Sequence, residues 1–131
     1  MTNDRDANHS VVAEYARAWE AGDAATLVGL YHDEFVLHYF GQSPLAGDHV
    51  GKAAALAALF KVQQLTNRKL IKVHDVLSGP GHGAILATEQ WERDGKTLEV
   101  HRVLLYHIRD GKLSECWLYD EDQRAVDEFW S

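Results

Sequence analysis

Two identical tetrapeptides, Arg-Asp-Gly-Lys at residues 93–96 and 109–112, constrain the fold of this chain more than any other feature. Each stands between runs rich in valine, leucine and aromatic residues, and Asp-Gly in that setting is the strongest short signal of a type I′ hairpin turn. The glycine-rich loop 78–83 separates a further pair of such runs. We therefore predict four antiparallel strands, at 69–77, 84–92, 97–108 and 113–120.

The two turns also predict the strand register. The expected pairs are Glu89–Val100 and Ala87–Arg102 around the first turn, and Val100–Asp120, Arg102–Leu118 and Leu104–Cys116 around the second. A one-residue bulge is the open alternative, because it would shift these pairs along the strand. In the predicted register Arg102 lies diagonal to two carboxylates, those of Glu89 and Asp120.

Alternation along the strands sorts the side chains onto two faces of the sheet. The face predicted to be concave carries Ile85, Ala87, Glu89, Trp91, Leu98, Val100, Arg102, Leu104, Tyr106, Cys116, Leu118 and Asp120. The other face carries Leu86, Thr88, Gln90, His101, Val103, Leu105, Trp117 and Tyr119. Because this second face is too aromatic for a surface in contact with water, we expect it to join two copies of the chain in a homodimer.

Helical patterns come before the sheet. Residues 8–21 have apolar side chains at helical spacing, and Gly22 and Asp23 then mark the end of one helix and the beginning of the next. The short second helix should end near Asp33, and the aromatic run 35–40 predicts a strand. A third helix is expected after the loop, with Asp48 as its N-cap.

Composition narrows the function. A chain of 131 residues with 46% hydrophobic and 25% charged residues fits one soluble domain spanning 1–131, with no run long enough to cross a membrane. Neither a signal peptide nor a zinc motif is recognisable, so we expect a cytoplasmic protein without a metal. The net charge of −7 argues against nucleic acid and membrane surfaces as partners. A small apolar molecule and a second copy of the chain are the expected partners.

The order of these elements, together with the segments YARAWEAGD, PLAGDHVGKAA, HDVLSG and RDGKLSECW, resembles the nuclear transport factor 2-like superfamily. Within it, the chain is most similar to SnoaL-like polyketide cyclases and ketosteroid isomerases. The resemblance implies an α+β cone, in which three N-terminal helices pack on a strongly curved antiparallel sheet. It also implies a conical pocket, often used for cofactor-free acid–base chemistry on apolar molecules.

The resemblance to ketosteroid isomerases implies roles for individual residues. Tyr15 matches the tyrosine that donates a hydrogen bond to the developing oxyanion, and His38 stands where these enzymes carry the aspartate base. Leu104 replaces their protonated acid, which argues against steroid isomerisation itself. Leu118 occupies the position of the catalytic aspartate of SnoaL-like cyclases, and Asp120 lies two residues further on the same face.

Each of these assignments has a structural alternative. His38 is either the general base or a core histidine, and Tyr15 is either a hydrogen-bond donor or an ordinary aromatic core residue. Glu89, Arg102 and Asp120 form either the polar end of the pocket or an ion-pair network between strands. The remaining substrate-binding candidates, which could equally be core residues, are Trp91, Phe40, Leu104 and Leu118.

The leading functional hypothesis is an isomerisation, aldol-type cyclisation, dehydration or elimination on a small, largely apolar substrate. It needs no cofactor. His38 would be the base, Tyr15 the donor and Asp120 part of the group that returns the proton. Epoxide opening by water activated at Glu89, Arg102 and Asp120 is one alternative. The other is a dimer that binds a small molecule without catalysis.

Overall fold

The predicted hairpins form the centre of a six-stranded sheet. The computed structural model describes residues 4–131, and its strands are ordered β2-β1-β6-β5-β4-β3. The strands are β1 (Tyr31–Tyr39), β2 (Gly47–Val50), β3 (Lys69–Ser78), β4 (His82–Arg93), β5 (Lys96–Arg109) and β6 (Lys112–Asp120). The helices are α1 (Asp4–Ala21), α2 (Ala24–Gly29), α3 (Lys52–Thr66) and α4 (Gln123–Trp130). The α+β architecture and all four predicted strands are confirmed.

Both Asp-Gly turns have the expected conformation. The φ angles are 51° and 77° at Asp94 and Gly95, and 56° and 71° at Asp110 and Gly111. Positive φ at both central residues is what a type I′ turn requires. The register around the first turn is confirmed, because Glu89 pairs with Val100 and Ala87 pairs with Arg102.

The predicted register around the second turn is wrong by two residues. The predicted pairs are one residue out of step with the predicted turn itself, because a two-residue loop at Asp110-Gly111 places Arg109 opposite Lys112, as observed. Ser114 adds the second residue of the shift as a bulge in β6, where its hydroxyl donates to the carbonyl of His107 at 3.0 Å. Arg102 therefore lies directly opposite Asp120, and Leu104 lies opposite Leu118.

The first two strands differ from the predicted all-antiparallel sheet. β1 runs parallel to β6, so the sheet is mixed. Asp48 is not a helix cap, because residues 47–50 form β2 and pair with the end of β1. Gly51, at φ 95°, turns the chain into α3 and is its N-cap. A glycine is favoured here because other residues rarely adopt this conformation.

The helices cover one face of the sheet, which we call the inner face. Val12 of α1 packs so closely on β4 that a methyl group at Gly83 would lie 2.7 Å from its Cγ1. In α4, which was not predicted, Phe129 and Trp130 pack against the ring of Trp91. The inner-face residues predicted from alternation are buried or partly buried, as expected. No helix among residues 4–131 is long and apolar enough to cross a membrane.

Candidate functional site

A cavity lies between the helices and the inner face of the sheet. Its inner part, which we call the chamber, has a volume of about 70 Å³. A wider part of about 650 Å³, which we call the mouth, opens between α2 and α3. The two parts share the lining residues Tyr15, Leu27, Tyr31, Leu59 and Arg68, so they form one continuous pocket.

Three tyrosines from different elements meet at the chamber. The hydroxyls of Tyr15 in α1 and Tyr31 in β1 are hydrogen-bonded, and the rings of Tyr15 and Tyr106 in β5 lie 5.6 Å apart. Burial raises the pKa of Tyr15, although hydrogen bonding from Tyr31 and the charge of Arg68 offset part of the increase. Because burial also raises the pKa of Tyr31, both hydroxyls keep their protons at neutral pH. They are therefore hydrogen-bond donors.

Glu89 brings a carboxylate to the same chamber, with a side chain that is only 1% exposed. The indole nitrogen of Trp91 donates to its Oε1 at 2.9 Å. The same oxygen lies 3.6 Å from Nε of Arg68 and 3.6 Å from Nη1 of Arg102. No hydrogen bond to Oε2 is present within residues 4–131. One oxygen thus fixes the carboxylate in place, and the other is available to a bound molecule.

Arg102 and Asp120 form an ion pair next to Glu89. The pair is bidentate, with 2.6 Å from Nε to Oδ1 and 3.1 Å from Nη2 to Oδ2. The guanidinium also stacks on Trp91, 4.8 Å from the ring centre. Burial alone would lower the pKa of Arg102, but its electrostatic interactions with Tyr39, Glu89 and Asp120 raise the pKa above its ordinary value. Arg102 therefore stays protonated and anchors Asp120.

The chamber also contains the single cysteine of the chain. Cys116 in β6 is buried, and burial raises the pKa of its thiol to about 12. A thiol with this pKa is protonated at neutral pH and is a poor nucleophile. Within residues 4–131, no three His, Cys, Asp or Glu side chains are grouped so that they could hold a metal ion.

Only part of the predicted site lines the chamber. Four of the nine candidates do so: Tyr15, Glu89, Leu104 and Leu118. Three others form the network beside Glu89 without lining the chamber: Trp91, Arg102 and Asp120. Arg102 and Asp120, together with Glu89, make the contacts expected from the alternative interpretation, an ion-pair network between strands.

His38 and Phe40 lie on the outer face of the sheet, so the expectation that they line the pocket is wrong. His38 stacks on Trp117, with ring centres 5.4 Å apart, and Phe40 stacks on Tyr119 at 5.2 Å. The physical reason is the alternation of β1, which buries Leu37 and Tyr39 on the inner face and turns His38 outward. His38 has no access to a molecule in the chamber.

Three polar residues of the chamber were not among the predicted site residues: Tyr31, Tyr106 and Arg68. Tyr31 was predicted as part of the second helix, whereas it is the first residue of β1. Arg68 lies between α3 and β3, after Asn67, whose left-handed conformation (φ 44°) ends the helix. Asparagine after a helical pattern is a recognised stop signal, and it could have indicated that Arg68 lies at an element boundary.

Comparison with solved structures supports this description of the fold. The chain is similar to Bal32a from a soil-derived mobile gene cassette, with 27% identity over 98% of this chain and 100% of that one and a TM-score of 0.88. It is also similar to a nuclear transport factor 2-like protein from Burkholderia xenovorans, with 20% identity over 97% and 98% of the two chains and a TM-score of 0.81.

A third similar structure contains a small molecule. This is TerC co-crystallised with polyporic acid, with 16% identity over 93% of this chain and 96% of that one and a TM-score of 0.77. No protein with a curated description matches the chain in sequence. The model of the SnoaL-like domain matches residues 12–116, which include the chamber tyrosines, Glu89, Arg68 and Arg102. The chain therefore belongs to the family of SnoaL-like domains, with a nuclear transport factor 2-like fold.

Proposed function

We propose that this protein is a cofactor-independent enzyme that catalyses proton transfer on a small, largely apolar substrate in the pocket, with the reacting atoms in the chamber. Glu89 takes a proton from a carbon atom next to a carbonyl group and returns it at another position. Tyr15, supported by Tyr31, donates a hydrogen bond to the carbonyl oxygen as negative charge develops there. Removal of a proton from the carbon atom next to a carbonyl group is a first step that isomerisation, aldol-type cyclisation, dehydration and elimination can share.

The observation that carries the proposal is the environment of Glu89. A carboxylate that is 1% exposed costs free energy to bury, and such groups are concentrated at functional sites. Its Oε1 is fixed by the indole of Trp91 at 2.9 Å, while Oε2 makes no hydrogen bond within residues 4–131. A general base must be held in a fixed position and have a free oxygen within reach of the substrate. Glu89 meets both conditions and His38 does not.

The tyrosine pair supports the second role. Two hydroxyls that share one hydrogen bond use only one of their two protons, so the pair retains one proton for a further acceptor. Both hydroxyls belong to residues that line the chamber, as does Glu89. The surroundings are apolar, with Phe35, Leu37 and Leu104 among the lining residues, which strengthens any hydrogen bond to a developing charge.

Epoxide opening has less support. That mechanism requires two carboxylates that can share one water molecule beside an arginine. Both oxygens of Asp120 are bound to Arg102, at 2.6 and 3.1 Å, and Asp120 does not line the chamber. We therefore assign Arg102 and Asp120 to holding the inner end of the pocket in place.

Hydrogen–deuterium exchange offers a test that does not require knowledge of the natural substrate. We would incubate the protein in D₂O with aryl methyl ketones and β,γ-unsaturated ketones and follow loss of the α-proton by NMR. The wild type should accelerate exchange of at least one ketone. Glu89→Gln should lower the rate about 10²–10⁴-fold, as expected for loss of a positioned base. Tyr15→Phe should lower it about 10²–10³-fold.

Glu92→Gln is the matched control, because Glu92 lies on the same strand but is exposed. This variant should exchange ketones at the wild-type rate. A folded Glu89→Gln protein with full activity would rule out Glu89 as the base. Ketones that bind but do not exchange faster than in buffer would instead support the hypothesis of binding without catalysis.

A further inference from the structure

We propose that the pocket binds a molecule with an apolar body that ends in a carboxylate, and that Arg68 holds this carboxylate. The inference specifies the substrate class and rests on the proposed function only in using the same pocket. Its evidence is the bonding state of Arg68, the position of Arg68 between chamber and mouth, and the sizes of these two parts.

Arg68 has unused hydrogen-bonding capacity. Its side chain is 17% exposed, and its nearest charged contact, from Nε to Oε1 of Glu89, is 3.6 Å long. Within residues 4–131 the side chain makes no hydrogen bond, although a guanidinium carries five N–H donors. The contact with Glu89 does not use these donors, because 3.6 Å is too long for a hydrogen bond. The same Oε1 also lies 3.6 Å from Nη1 of Arg102, so Glu89 is shared between the two arginines. The two terminal nitrogens of Arg68 are free for the bidentate hydrogen bonds that a carboxylate accepts.

The position of Arg68 is the second part of the argument. It lines both the chamber and the mouth, in company with Tyr15 and Tyr31. Its charge also acts on these tyrosines, since it lowers the pKa of each against the larger increase caused by burial. A carboxylate at this point would therefore meet the guanidinium of Arg68 at the boundary between the chamber and the mouth.

The sizes of the two parts indicate what the rest of the molecule is. The chamber, at about 70 Å³, has room for only a few atoms beside Glu89. The mouth, at about 650 Å³, is lined mainly by apolar side chains from α2 and α3, among them Leu56, Leu59 and the largely exposed Phe60. Covering such side chains with a hydrocarbon or aryl group removes apolar area from water. The apolar body thus lies in the mouth and its polar end reaches Arg68.

The test compares two probes of nearly equal size, 4-phenylbutyrate and 4-phenylbutanol, by isothermal titration calorimetry on the full chain. Since a hydrogen bond to a charged group contributes a larger free energy than a neutral one, the wild type should bind the acid about 10- to 100-fold more tightly than the alcohol. Arg68→Met should remove this preference, because it should weaken the binding of 4-phenylbutyrate and leave the binding of 4-phenylbutanol unchanged. Arg68→Lys should retain part of it.

The control is Arg124→Met on α4, where the guanidinium is 89% exposed and pairs with Glu128; it should behave as the wild type. Circular dichroism establishes that each variant is folded, and Arg68→Gln replaces Arg68→Met if the latter is not. The proposal would be overturned if the wild type bound the two probes equally or bound neither of them. It would also be overturned if Arg68→Met, or Arg68→Gln in its place, kept the wild-type preference for the acid. Because these titrations involve no turnover, their outcome is independent of whether Glu89→Gln abolishes exchange.

Discussion

At the scale of single residues, His38 has a structural role that its contacts define. Its Nδ1 lies 2.7 Å from Oδ1 of Asp48 in β2, and its Nε2 contacts Oε2 of Glu115 in β6. A neutral imidazole carries one N–H, so both contacts are hydrogen bonds only when the ring is protonated. Burial alone would lower the pKa of His38, but the hydrogen bonds to Glu115 and Asp48 raise it above its ordinary value. Protonated His38 therefore connects three strands.

This arrangement predicts how stability depends on pH. Because the pKa of His38 is raised in the folded state, its contribution is fully present below about pH 6.5, the unfolded value, and is lost as pH rises through the folded pKa. The free energy of unfolding should therefore differ most between wild type and His38→Gln at pH 5.5, and the difference should shrink by pH 8.5. Urea unfolding at intermediate pH values measures it.

His49→Gln is the comparison variant, since the ring of His49 contacts the backbone carbonyl of Leu45 at 2.7 Å and, among residues 4–131, no carboxylate. Its difference from the wild type should change less over the same pH range. If the effect of His38→Gln were the same at every pH, the protonated bridge between Asp48 and Glu115 would not exist.

The face on which His38 lies could not be predicted from its strand. In β1 the inward set is Phe35, Leu37 and Tyr39, and the outward set includes Val36 and His38. Alternation separates the sets, but it identifies the inner one only if the other is polar. Here the outer face is itself apolar, and Trp117 lies beneath the ring of His38. The helix pattern around Tyr15 has only one apolar side, and Tyr15 lines the chamber.

At the scale of elements, the two Asp-Gly turns were reliable local signals, whereas the predicted cap at Asp48 and the predicted end of the second helix were not. Each Asp-Gly turn predicted its hairpin because the conformation depends on two adjacent residues. The Ser114 bulge follows from how β6 packs between β1 and β5, and nothing in its local sequence marks it. Strand β2 was missed for a similar reason, since four residues form a strand only because the edge of β1 is available.

The contact between α1 and the sheet provides a prediction at this scale. A methyl group at Gly83 would lie 2.7 Å from Cγ1 and 3.1 Å from Cγ2 of Val12, and Val12 is fully buried. Gly83→Ala should therefore lower the free energy of unfolding by about 1–3 kcal/mol, the usual cost of overpacking a core. Urea unfolding measures the change.

Two further variants isolate the cause. Gly81→Ala lies two residues earlier, just before β4, with no atom within 4 Å of the added methyl group, so its effect should stay within about 0.5 kcal/mol. Val12→Ala combined with Gly83→Ala should be more stable than the sum of the single changes predicts, because the two residues share one contact. Strict additivity would show that the helix does not press on Gly83.

At the scale of the whole molecule, the site depends on distances that no segment of sequence reveals. Glu89 was a candidate because a charge interrupts an apolar face, and the chamber contains it. Arg68 and Tyr31 were not, because each lies at the boundary between a helix and a strand, where periodic patterns end. They reach Tyr15 only after α1, β1 and the connection between α3 and β3 fold against each other.

The outer face of the sheet remains to be accounted for, and we propose that it joins two copies of the chain. Val103 and Tyr119, which pair directly across β5 and β6, are 38% and 45% exposed there, and Phe40, whose ring stacks on Tyr119, is 39% exposed. Single exposed apolar residues are ordinary, but a contiguous group on one sheet face is typical of an interface. A second copy would bring the same apolar surface, which is how symmetric dimers form.

Analytical ultracentrifugation tests this proposal. At micromolar concentration the wild type should sediment with twice the mass of the 14.7 kDa chain. Val103→Glu should weaken association at least tenfold, because it would bury two uncompensated charges in a symmetric interface. Phe60→Glu removes a similarly exposed apolar side chain at the mouth of the pocket and should leave the mass unchanged. A wild-type monomer, or a dimer that Val103→Glu leaves intact, would show that this face does not join the two copies.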